Sequence, residues 1–244
     1  MKDYAKYSFW LETAADSLAP RPTLSASTTV DVAILGGGYS GLWTAYYLLR
    51  ANPGLRVAIL EREIVGFGAS GRNGGWCSSR FPVTPAVLEE RYGAEAARQL
   101  ILAMFASVDE VGRVCTEEGI SADYRKGGIL SLARGVHQLP MIRASYAAYE
   151  RLGLGDRFKL LRVEECCERV RVANVHGGLY THEGASLHPG RLVRGWQLSW
   201  SGGEARFTRI QMSRRCAAAV MRVSSLPLVS CVPSAPSFLQ VKPI

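Results

Sequence analysis

A strand that runs directly into glycines and then into a helix forms a turn whose backbone can meet a charged ligand, and residues 30–51 have that order. Val30, Val32, Ala33, Ile34 and Leu35 make a nearly continuous apolar run, the pattern of a parallel strand buried on both faces. Gly36, Gly37 and Gly38 follow at once, and Leu42, Ala45, Tyr46 and Leu49 then recur at helical spacing. Asn52-Pro53-Gly54 stops the helix, and Val57 to Leu60 form a second short apolar strand ending at Glu61. The segment predicts a β-α-β unit of an α/β fold.

The glycines fall as Gly36-x-Gly38-x-x-Gly41, with Glu61 twenty residues after Gly41. Gly36 permits the tight turn, Gly38 allows close approach of a pyrophosphate, and Gly41 lets helix and strand pack. The helix N-terminus offers N–H groups and a positive dipole end to phosphates. Glu61 can accept hydrogen bonds from ribose hydroxyls, and its charge disfavours a 2′-phosphate. This motif alone leaves FAD and NAD both open.

The stretch from Gly66 to Gly75 holds five glycines in ten residues. Each would cost a helix roughly 1 kcal/mol relative to Ala, so the stretch must be a loop. It supplies backbone donors and the Arg72 guanidinium beside the first turn. That suits a long dinucleotide held at two points, whereas a nicotinamide dehydrogenase is expected to run into another crossover helix.

Further along, Pro85 to about Glu118 predicts one long amphipathic helix or two, with Ile101, Met104, Val108, Val111 and Cys115 on one face. Ile129 to Ala133 reads as a strand, Met141 to Leu152 as a helix, and Val170 to Tyr180 as extended. His188-Pro189 opens a helix, with Pro in the first turn. The four histidines are scattered, and no C-x-x-C pair occurs among the six cysteines. No metal site, zinc knuckle or dithiol motif is expected, and neither is a Ser/His/Asp triad. With 48% hydrophobic and 20% charged residues the composition is that of a globular chain. No apolar run is long enough to cross a membrane, and the first twenty residues carry Asp3, Glu12 and Asp16 rather than a secretory signal. A cytoplasmic location is the expectation. Of the net charge of +8, residues 195–244 carry +5, so basicity belongs to the tail and gives no reason to expect a nucleic-acid partner.

The run from Gly36 to Gly41, the Leu60-Glu61 strand end, the stretch Ile64 to Gly75, Asp123 to Gly128 and His188-Pro189 together resemble the D-amino-acid-oxidase (glycine oxidase/sarcosine oxidase) family of FAD-dependent oxidoreductases. Within it they are most similar to the γ-glutamylputrescine oxidases. The resemblance covers residues 27–195. It implies a Rossmann-like FAD-binding domain, its parallel sheet incomplete here, with part of an α+β substrate domain. It implies FAD at Gly36, Gly38, Tyr39, Ser40, Gly41, Glu61 and Arg62, and at Gly68, Ala69, Ser70, Arg72, Asn73 and Gly74 on the flavin side. The implied reaction is oxidation of a C–N bond of a small amine or amino acid, with O₂ as electron acceptor and peroxide as product. In such enzymes the flavin carries the chemistry. No catalytic residue is assigned, because the positions that polarise an amine lie in later parts of the family. The substrate and the oligomeric state are left open. A non-catalytic nucleotide-binding fragment and an NAD-dependent dehydrogenase are the competing readings.

The expected organisation is an N-terminal extension (1–26), the FAD-binding β-α-β unit with its glycine-rich loop (27–85), a helical and α+β cap (86–185), a return to the FAD domain (186–195), and an aberrant tail (196–244). After Glu204 the tail has no acidic residue and no convincing period, so it is not expected to continue the α/β domain. A shifted reading frame would account for it. Read two bases out of phase, 195–216 can spell a helix end, a Gly-Gly turn and a strand. That reading predicts an insertion or deletion between the codons for Arg191 and Trp196.

Overall fold

The computed structural model describes residues 2–14, 16–22, 29–199 and 206–209. In chain order the elements are α1 (Phe9–Glu12), β1 (Val32–Leu35), α2 (Tyr39–Ala51), β2 (Val57–Glu61), β3 (Trp76–Ser78), α3 (Pro85–Tyr92), α4 (Ala94–Glu117), β4 (Ile129–Ala133), α5 (Leu139–Arg151), β5 (Phe158–Leu161), α6 (Val163–Arg169), β6 (Gly177–Thr181), β7 (Gly184–Ser186), α7 (Pro189–Ser199) and β8 (Arg206–Arg209).

β1 and β2 pair in parallel from Val32 opposite Val57 to Leu35 opposite Leu60. β8 lies parallel on the other side of β2, with Ala58 opposite Arg206 and Glu61 opposite Arg209. The order β1-β2-β8 is that of one half of a doubly wound sheet, in which the first strand stands at the point where the order reverses. Apolar residues from α2, β2, α4 and α7 meet over this sheet. Leu42, Tyr46, Ile59, Val114, Val193 and Trp196 are all buried there.

Two expectations are corrected here. β1 is not buried on both faces: its residues alternate, and Leu35 is 61% exposed. Among the described residues it is an edge strand, and nothing packs over the side that carries Ala33 and Leu35. The α/β pattern also does not stop at Gly195. α7 continues to Ser199, and β8 adds a third parallel strand from residues assigned to the tail. A four-residue strand is too short to show a period. The frame-shift reading otherwise falls mainly on residues 200–205 and 210–244, outside the described residues.

A second sheet, ordered β4-β6-β5 and antiparallel, is backed by α5 and α6. β3 and β7 form a short antiparallel ladder that joins the glycine-rich loop to the chain entering α7. The predicted 85–118 helix is two helices, broken at Gly93, whose φ of +83° no helix accepts. β5 and α6 had no sequence signal because they are short and largely exposed. No helix of the described residues is long and apolar enough to cross a membrane.

Candidate functional site

The turn after β1 is closed by backbone. Gly36 N–H donates to Leu60 O at 2.9 Å, joining turn and β2. Gly36 has φ +100°, a left-handed backbone that only glycine adopts readily. A Cβ placed on Gly41 would lie 2.2 Å from Gly36 O, so the first turn of α2 can sit this close to the glycine turn only without a side chain. α2 starts at Tyr39 with Gly38 as its cap residue, which has no side chain to offer, so beyond the Tyr39 N–H taken by Ser70 its first turn keeps unpaired donors. Its first-turn N–H groups and dipole therefore point into the crevice at the end of β1.

Glu61 closes the other side. Its Oε2 accepts from Gly37 N–H at 2.7 Å and its Oε1 from Glu63 N–H at 2.8 Å. Each oxygen has taken one donor and keeps further acceptor capacity. Arg62, the next residue, is exposed. Ser40 lies exposed on the first helical turn.

The glycine-rich loop docks directly on this turn. Gly66 N–H donates to Gly37 O at 3.0 Å, and Tyr39 N–H donates to Ser70 Oγ at 2.9 Å. The loop contains a short 3₁₀ turn, Ala69–Gly71. Asn73 holds it in shape: its Nδ2 donates to Ser70 O at 3.0 Å, and its Oδ1 accepts from Gly75 N–H at 2.9 Å. Arg72 packs against its own loop, with Nε donating to Gly68 O and the guanidinium 5.0 Å from the Phe67 ring centre. Arg72 thus packs on its own loop, whereas Asn73 both shapes the loop and lines the cavity beside it.

The loop's glycines are of two kinds. A Cβ on Gly66 would lie 2.3 Å from Val193, one on Gly71 would lie 2.3 Å from Gly66 O, and one on Gly75 would lie 2.5 Å from Leu187 O. Those three are required by the chain's own packing. A Cβ on Gly68 or Gly74 would meet nothing within 4 Å. Packing does not require glycine there, so these two leave open surface beside Ala69 and Ser70. Residues of both loops therefore come together around one crevice: a helix N-terminus, an acid at the end of β2 and an open glycine surface. A dinucleotide of the FAD type fits this donor set.

A cavity of about 720 Å³ adjoins the loop, lined among others by Tyr39, Trp43, Ser70, Trp76, Val108 and Leu192. Trp76 is 80% exposed. Burial pushes the Tyr39 phenol pKa above its ordinary value and the Cys77 thiol up to about 11. Cys77 is thus held as a thiol at neutral pH and is not activated as a nucleophile. Among the described residues, no three His, Cys, Asp or Glu side chains group as metal ligands would.

Sequence reasoning missed the contribution of the N-terminal segment. Tyr4 and Leu11 are buried against Ile64, and Tyr4 Oη donates to Glu63 at 2.9 Å. The available signal was the three-residue spacing of His188, Arg191 and Arg194 at the start of α7.

Comparison with known proteins gives a consistent picture. The profile of the FAD dependent oxidoreductase (DAO) family matches residues 31–209, which takes the similarity past Gly195 and includes β8. Gamma-glutamylputrescine oxidoreductase of Escherichia coli K12 is 35% identical over 188 residues, 77% of this chain and 43% of that protein. L-amino acid deaminase from Proteus vulgaris shares the fold, with TM-score 0.61 at 17% identity over 79% of this chain and 42% of that one. Glycine oxidase from Bacillus cereus does so with TM-score 0.55 at 20% identity, over 75% and 46%. The chain spans less than half the length of each of these relatives.

Proposed function

The chain belongs to the FAD dependent oxidoreductase family, and on that footing we propose that it holds FAD for the oxidation of a C–N bond in a small amine or amino acid. The observation that carries this reading is the docking of two glycine loops on each other, through Gly66 N–H to Gly37 O and Tyr39 N–H to Ser70 Oγ. A second anchoring loop suits FAD, which extends beyond its pyrophosphate to a flavin.

In this reading the N-terminal turn of α2, with Gly36, Gly38, Tyr39, Ser40 and Gly41, receives the pyrophosphate. Glu61 accepts from the adenosine ribose hydroxyls, with Arg62 beside it. Gly68, Ala69, Ser70 and Gly74 face the flavin side, and Asn73 and Arg72 hold that loop in register. When bound, FAD would accept two electrons from the C–N bond and pass them to O₂ to give peroxide, and the oxidised C=N product would take up water to give an aldehyde and ammonia or an amine. Similarity to gamma-glutamylputrescine oxidoreductase supports an amine of the acylated-diamine type as substrate. The absence of a long apolar helix among the described residues is consistent with the cytoplasmic location we assign.

The test is anaerobic mixing of the FAD-loaded protein with γ-glutamylputrescine, putrescine, glycine and a 2-hydroxy acid. Any bleaching of the flavin band near 450 nm is expected with the amines and not with the hydroxy acid, and the isolated chain, which spans less than half the length of its relatives, is expected to lack sustained peroxide-forming turnover. Bleaching by the hydroxy acid alone overturns the C–N assignment.

A further inference from the structure

The described residues of the N-terminal segment, 2–14 and 16–22, are held in part by the start of one helix. His188, just before α7, and Arg191 and Arg194 on its first turns stand at three-residue steps, and all three grip this segment. His188 Nδ1 accepts from Arg191 N–H at 3.0 Å, so its proton sits on Nε2, 2.9 Å from Thr13 Oγ1. Arg191 Nε donates to Thr13 O. Arg194, 2% exposed, places Nε 2.7 Å from both carboxylate oxygens of Asp16 and Nη2 2.6 Å from Ser17 O. The approach is tight: a Cβ on Gly190 would lie 2.1 Å from Trp10 O.

The same Arg194 reaches the cofactor loop. Its Nη1 donates to Val65 O at 3.2 Å, and the next residue, Gly66, gives its N–H to Gly37 O in the phosphate turn. Farther along the loop, Ser8 Oγ donates to Gly71 O at 3.0 Å. The N-terminal segment therefore touches the loop at both ends of the Gly66–Gly71 stretch, once through Arg194 and once directly.

We infer that residues 2–22 are a strap belonging to the dinucleotide site, and that Arg194 is the positioning residue that locks the strap, the Gly66 loop and the phosphate turn into one frame. The inference rests on the FAD reading above. The guanidinium uses all of its nitrogens on this frame, in a fork geometry that Lys cannot reproduce. Asp16 neutralises it, which is what allows a charge to be buried here. Strap docking and FAD binding are then coupled, and the coupling is reciprocal: whatever factor the strap adds to FAD affinity, FAD adds to strap docking.

The test uses the full chain, Arg194→Met, Arg194→Lys and Asp16→Asn. FAD affinity is read by flavin fluorescence, and amide exchange of residues 64–71 is read with and without FAD. Arg194→Met should weaken FAD binding by roughly ten- to a hundredfold, the factor for a lost charge-assisted hydrogen bond, and speed exchange at Gly66 and Gly71 in the apo protein. Arg194→Lys should recover only part of the loss. Asp16→Asn changes the strap's partner of Arg194 without altering the sequence of α7, so a loss there in a folded protein assigns the effect to the strap–Arg194 pair. FAD affinity and loop exchange equal to wild type in Arg194→Met and Asp16→Asn overturn the inference. If the wild-type chain takes up no FAD, the cofactor reading fails, and apo exchange still decides the clamp: faster in the variants supports it, unchanged refutes it.

Discussion

Gly41→Ala is the sharpest perturbation of the phosphate turn. The added methyl would stand 2.2 Å from Gly36 O and 3.2 Å from Ile34 Cγ2. Backbone and β1 surround it, so no flexible side chain can yield. The start of α2 must move away from the turn by about 1 Å to reach ordinary contact. Overpacking of this kind costs about 1–3 kcal/mol. Alanine returns about 1 kcal/mol of helix propensity, leaving a net loss of roughly 0–2 kcal/mol. For a chain of this size that lowers Tm by up to about 4–8 °C. The effect on cofactor should be larger, because the helix N-terminus that meets the pyrophosphate is displaced; FAD affinity should fall by about tenfold or more. Gly74→Ala is the matched contrast. Its methyl meets no protein atom within 4 Å, so Tm should hold while FAD binding weakens. Thermal melts and FAD titrations of both variants check this. Wild-type affinity and stability in Gly41→Ala would refute the geometry of the turn.

Three further outcomes follow from named contacts. Glu61→Ala removes the acceptor of Gly37 N–H and Glu63 N–H and should release FAD more readily than Glu61→Gln does; equal flavin content in wild type and Glu61→Ala would remove Glu61 from the site. His188 has its pKa pushed below 6.5 by burial, with Arg191 adding to the effect. The unfolded chain therefore binds the extra proton first, and the stability His188 contributes is complete above pH 6.5 and lost as pH falls below it. His188→Asn keeps a capping acceptor without titrating, so its Tm should vary less between pH 7 and pH 5, and an unchanged slope would exclude His188 as the source. Leu35→Lys, on the exposed side of β1, should change stability by less than about 0.5 kcal/mol, whereas Leu42→Ala, fully buried, should cost about 2–5 kcal/mol; urea unfolding separates them.

The β-α-β unit was legible because its signals are local. An apolar run, a glycine spacing and a helical period each lie within a dozen residues, and β1, α2 and β2 fall where those signals place them. The loop from Gly66 to Gly75 was equally plain as a loop, but not the division of labour inside it. Which glycine relieves a clash with Val193 or Leu187 and which leaves open surface depends on residues more than a hundred positions away. The strap was invisible for the same reason. Asp16 and Arg194 look like surface charges until the fold brings them together. The exposure of Leu35 was missed because an apolar run reports what a strand can bury, not what covers it.

The central claim is that this chain builds an FAD site from its two glycine loops. Titration of the purified protein with FAD, followed by quenching of flavin fluorescence with NAD and NADP as competitors, tests it most directly. Saturable binding of one FAD per chain, weakened in Gly41→Ala and not displaced by an equal concentration of either nicotinamide dinucleotide, is the predicted result. No saturable binding, or displacement of FAD by NAD at equal concentration, would contradict it.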